Sequence, residues 1–153
     1  MTEWFECKVK YDKTMENGLI KTTTDTYLVD AISFTEAEKR FIEEMEPFMT
    51  GEFVVTDIKR ARLSEVHESD DLTDDKWFKA RVAYISFDDK KGVEKRVIHS
   101  ILIQAKDFRV ALKNLENVMR GRLGDWQIVS ITETKIVDIF KATPNEEALT
   151  DNQ

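Results

Sequence analysis

Apolar and polar residues alternate strictly where the chain begins: Phe5, Cys7, Val9 and Tyr11 fall on one side of an extended segment, and Trp4, Glu6, Lys8 and Lys10 on the other. The pattern returns at Phe78, Ala80, Val82 and Tyr84, where "WFKARVAY" (77–84) echoes "WFECKVKY" (4–11). Each run is followed by a turn signal, "ENG" at 16–18 and "DDKKG" at 88–92, and then by a second strand-like run, "TTDTYLVDA" or "VIHSILIQA". Two β-hairpins are therefore predicted.

The period changes after each hairpin. Phe34, Ala37, Phe41 and Met45 are spaced as one stripe of a helix, and Phe108, Ala111, Leu115 and Met119 repeat the spacing. Ser33, three residues before Glu36, reads as a capping box, and Asp107 as the N-cap of the second helix. Gly51 and Gly124 close the helical segments, and "FVVTDI" and "WQIVSI" supply a third strand to each half. Matches at core-type positions run in order through both halves, Leu28 with Leu102 and Ile58 with Ile131 among them.

The expected fold is α+β, a tandem duplication of a β-β-α-β unit. A unit of about sixty residues has a thin core, so the two copies are expected to pack together with pseudo-twofold symmetry. The expected boundaries are 1–64 for the first unit, 65–76 for an acidic linker, 77–142 for a second, basic unit, and 143–153 for a disordered acidic tail. The core is expected to include Phe5, Val9, Phe34, Phe41 and Met45 with their partners Phe78, Val82, Phe108, Leu115 and Met119.

Composition narrows the class. With 35% charged residues and only five Gly and two Pro in 153, the chain is neither low-complexity nor fibrous. No run approaches the length of a membrane span and the N-terminal residues lack a leader pattern, so a cytoplasmic protein without membrane contact is expected. The single cysteine, Cys7, rules out an internal disulfide and reads as a buried apolar residue. The net charge of −7 is unevenly spread. Residues 65–75 hold six acids and no Lys or Arg, whereas 76–144 hold fourteen bases against eight acids.

That asymmetry, with an indole beside alternating cations, points to a polyanionic partner. Trp77 stacking on bases, with Lys79, Arg81, Lys95 and Arg96 on phosphates, would hold a single-stranded nucleic acid or a nucleoprotein. The plainer reading makes the tryptophans the cover of a module interface. Arg60 and Arg62 project together from a strand, more as charge protecting an edge than as an anion site. An alternative places the partner on the acidic segment, where Glu65, Glu68, Asp70, Asp71, Asp74 and Asp75 would dock on a basic protein. His67 among those acids lacks the spacing of a metal site, and His99 stands apart from any carboxylate or nucleophile. No phosphate loop, nucleophile elbow or metal-binding helix is spelled, so no catalytic, cofactor or metal residue is assigned; an enzyme built on dispersed carboxylates is the third reading.

The stretches "WFECKVKYDKTMENG", "YLVDAISFTEAEKRFIEEM" and "GEFVVTDIKRARLSEV", continued by "WFKARVAY", resemble the uncharacterised family numbered 4494 among domains of unknown function, over about residues 3 to 140. The resemblance implies a small cytoplasmic accessory protein of Bacteroides-type gut anaerobes or their phages and mobile elements, and it carries no site residues with it. Each half also resembles in strand order, and the first half in the "EA" of its helix, the ribosomal large-subunit domain called LX, which contacts RNA. A non-enzymatic binding protein is the resulting expectation, with nucleic acid the leading partner and the acidic adaptor its alternative.

Overall fold

The computed structural model describes residues 2–142. The elements run β1 (Glu3–Thr14), β2 (Ile20–Ala31), α1 (Phe34–Met45), β3 (Phe53–Arg60), β4 (Glu65–His67), β5 (Lys76–Asp88), β6 (Val93–Ala105), α2 (Phe108–Met119), β7 (Asp125–Glu133) and β8 (Ile136–Phe140), a fold of α+β class. They form two compact units. Of the described residues, unit 1 takes 2–61 together with 136–142; unit 2 is Arg62–Lys135.

In unit 1 a four-stranded sheet of order β3-β1-β2-β8 carries α1 on one face. The β1–β2 hairpin is paired along its whole length, from Glu3 opposite Ala31 to Thr14 opposite Ile20. It reverses at Gly18, whose φ of +82° is costly for any residue with a Cβ. Phe5, Cys7, Val9, Val29 and Ala31 meet Ala37, Phe41 and Met45 of α1 in the core. Ser33 accepts the Glu36 amide at 3.1 Å, which fixes where α1 starts. Burial and the nearby Glu6 and Asp57 carboxylates push the Cys7 thiol up to about 12, so it stays a protonated apolar side chain.

Unit 2 has a sheet of order β4-β6-β5-β7 with α2 on one face. Ala80, Val82, Ile101 and Ile103 pack against Leu115 and Met119, and Phe78, Ala105 and Ala111 extend that core. Asp107 accepts the Val110 amide at 2.9 Å and caps α2. Each sheet bulges where its hairpin's first strand meets the strand after the helix, between Lys8 and Val9 in unit 1 and between Arg81 and Val82 in unit 2.

Three expectations are corrected here. Each sheet has a fourth strand, and it is donated from the other half of the sequence: β4 pairs parallel to β6, and β8 pairs parallel to β2. The second unit therefore ends at Lys135 rather than 142, and the segment expected as an acidic linker, 65–76, begins with β4 and contains the buried Asp74. Phe34 and Phe108 are not core residues; they are 45% and 54% exposed. Each opens its helix, and because helical side chains lean toward the N-terminus, the first of the stripe reaches past the end of the packed face. Phe34 touches Phe5 edge-on at 4.9 Å between centroids, and the Arg60 guanidinium lies 5.3 Å from its ring. The expected tail 143–153 lies outside the described residues.

Candidate functional site

The β5–β6 hairpin carries all five residues expected to hold nucleic acid, and register separates them. Lys79, Arg81, Ile85 and Phe87 alternate along one face of β5, away from α2. Arg96 stands opposite Ile85 and so shares that face, whereas Lys95 stands opposite Ser86 and projects from the other. Lys79, Arg81, Lys95 and Arg96 are all exposed, and among the described residues none is held in an ion pair.

Trp77 is different. It lies on the same face as Lys79 and Arg81 but is only 1% exposed, so it has no ring surface to offer a base. Alternation tells which side of a sheet a residue takes, not whether that side is wet. Here the side away from α2 also carries Ala83 and Leu102, both buried, so buried apolar and exposed charged positions are interspersed along it, with Glu94 opposite Phe87. The exposed aromatic on this face is Phe87, 64% exposed and two strand positions beyond Ile85. Sequence reasoning passed over it, although the same alternation that placed Arg81 extends to it.

The acids of the alternative site are divided as well. Glu65 sits on β4, and its two carboxylate oxygens accept from Arg122 at 2.5 and 2.7 Å. Arg122 also donates to the Tyr84 hydroxyl at 3.1 Å, and His67 Nε2 lies 3.0 Å from Glu65 Oε1. These bonds, the Arg122 guanidinium first, hold the Glu65 carboxyl at about 2 and raise Arg122 above its already high value. Asp74 is buried and accepts from Ser69 Oγ at 2.5 Å and from the Lys106 amide at 2.9 Å, which fixes the segment before β5. Asp71 accepts the Thr73 amide and hydroxyl, which lowers its own carboxyl. Glu68, Asp70, Asp71 and Asp75 remain at the surface.

Ser64 Oγ lies 3.2 Å from His99 Nδ1, and the His99 ring meets Tyr84 edge-on at 4.8 Å. The pair has the spacing of a nucleophile and base, but among the described residues no carboxylate bonds His99. The Ser64 amide donates to the Ser100 carbonyl, so these contacts tie β4 to β6. No three His, Cys, Asp or Glu side chains converge as a metal site among the described residues, and no helix there is long and apolar enough to cross a membrane.

The Glu65 brace has a measurable consequence. Glu65→Gln keeps the shape and removes the charge-assisted bonds, so unit 2 is expected to lose about 1–2 kcal/mol, the lower part of the range for bonds to charged groups because both side chains are partly exposed. The folded-state pKa is depressed. The stabilisation is therefore complete above the ordinary glutamate range and lost as pH falls from 4.5 toward about 2. Acid unfolding followed by tryptophan fluorescence should be steeper in that window for the parent than for the variant; superimposable curves would remove the brace.

No curated protein resembles the chain closely enough to count as a relative. The profile of one family, Domain of unknown function (DUF4494), matches residues 3–142. That span takes in both hairpins, both helices and both donated strands, and so the chain belongs to the DUF4494 family.

Proposed function

We propose that this protein is a non-enzymatic cytoplasmic accessory module that holds single-stranded nucleic acid, alone or in a nucleoprotein, along the β5–β6 hairpin of unit 2. The observation that carries the reading is the set of exposed cations, Lys79, Arg81, Lys95 and Arg96, that form no ion pair among the described residues and stand beside an exposed ring. Phe87 takes the stacking role expected of Trp77. Lys79, Arg81 and Arg96 meet phosphates on its face, and Lys95 meets them from the other. A setting in Bacteroides-type bacteria or their phages and mobile elements belongs to the same proposal.

Titration with a labelled single-stranded oligonucleotide tests it. Arg81→Ala with Arg96→Ala should lower the log-log salt slope by about 1.4, because two phosphates of the single strand are no longer neutralised. Phe87→Ala should weaken binding by about 1–3 kcal/mol with the slope unchanged. No binding at low salt, or variants equal to the parent, would sink this reading. A second reading is favoured by the surface acids Glu68, Asp70, Asp71 and Asp75 on the segment fixed by Asp74: an acidic adaptor docking on a basic protein. Capture that survives nuclease treatment and is lost on neutralising those acids would support it instead.

We also propose that the two halves arose by tandem duplication of a β-β-α-β unit. The matching bulges, the capped twelve-residue helices and the export of a fourth strand from each half support this.

A further inference from the structure

A cleft of about 610 Å³ lies in unit 1 between α1 and β3. Phe34 and Ile42 of α1 and Val55 and Ile58 of β3 give it an apolar lining. The bulge in β3 leaves Thr56 without a partner on β1, and Thr56 and Asp57 line the cleft as well. Two features say what would fill it. β3 is an edge strand, bonded to β1 on one side only, so its outer amides and carbonyls offer a ladder that only an extended chain can complete. Three charged residues line it, the acids Glu38 and Asp57 and the base Lys39, and neither acid meets a cation in an ion pair among the described residues. Residues 1–61 as a whole hold thirteen acids against eight bases.

We infer that this cleft is a docking site for an extended segment of a partner protein, which adds to the sheet beside β3, sets one large apolar side chain against Phe34 and Ile42, and places a Lys or Arg next to Glu38 and Asp57. The backbone ladder supplies sequence-independent hold, and the apolar lining and the carboxylates select the side chains. A nucleic acid has no backbone donors for a strand edge and meets the wrong charge here. A second copy of unit 1 brings the same excess of acids. This site is on the opposite unit from the hairpin of the proposed function and does not depend on it.

The probe is a phage-displayed library of random linear peptides panned against the full chain, with Glu38→Lys plus Asp57→Lys as the counter-target. Both substitutions are at exposed positions, and an unchanged thermal melt confirms that the double variant folds. Enriched peptides should share a large apolar residue beside Lys or Arg. A synthetic copy should protect the amides of Phe53–Arg60 from hydrogen exchange, and should bind the double variant about ten-fold more weakly, the worth of two exposed ion pairs. A peptide that is helical when bound, an acidic consensus, no enrichment over the double variant, or protection elsewhere with β3 unaffected would each overturn the inference. So would an oligonucleotide that protects the same amides.

Discussion

A chain ended after Lys135 is expected to lose the fold of unit 1 and keep that of unit 2, although the residues removed are those farthest along the sequence from β1. The reason is β8. Ile139 is buried in unit 1, and Phe140 stacks on Tyr27 with centroids 5.5 Å apart, while Tyr27 in turn meets Phe41 at 5.6 Å. Removing β8 costs a buried isoleucine, about 1.5–3 kcal/mol, and a stacked ring pair, about 0.5–1.5 kcal/mol. The backbone of β2 from Thr26 to Val29 also loses its parallel partner. For a unit this small those losses are comparable with the whole stability of folding. In amide correlation spectra the resonances of β1, β2 and β3 should collapse while those of β5 and β6 stay dispersed, and a chain ended after Ala142 should retain both sets. Dispersed signals from both units in the shorter chain would show that β8 is dispensable.

Lysine at Phe41 should likewise unfold unit 1, whereas lysine at Phe34, seven residues earlier on the same stripe, should be tolerated. Phe41 is fully buried between α1 and the sheet, so the change removes a core ring, worth about 3–5 kcal/mol, and leaves an ammonium without water or partner, which costs several kcal/mol more. Phe34 forfeits an edge contact with Phe5 and the approach of Arg60, together about 1 kcal/mol. Thermal melts of the two variants decide the matter. Equal behaviour would mean that α1 does not lie on the sheet as described.

The contrast between Phe34 and Phe41 also marks how far periodicity reaches. Spacing put both on one stripe, correctly, and the hairpins, caps and third strands were legible for the same reason: each is encoded within a few neighbouring residues. Exposure is not so encoded. Whether the first residue of a stripe overhangs the sheet depends on where the sheet ends, and whether Trp77 is wet depends on a whole face. Longer-range still was the exchange of β4 and β8. "EVH" and "IVDIF" are too short to show alternation, and no local pattern says which sheet a strand will join. At the candidate site the cations of β5 were placed by register alone. The Arg122–Glu65 brace, spanning 57 positions of sequence, left no signal to find.

The donated strands also set an order of events on the ribosome. Unit 2 is one continuous stretch and is complete once β7 has emerged, but unit 1, whose first strand is made earliest, lacks β8 until the second unit has been synthesised. Until then the outer edge of β2 is open to pairing with any other extended chain. The half that is translated first thus finishes last, and on crowded polysomes the nascent first unit, not the second, is the one exposed to strand exchange with its neighbours.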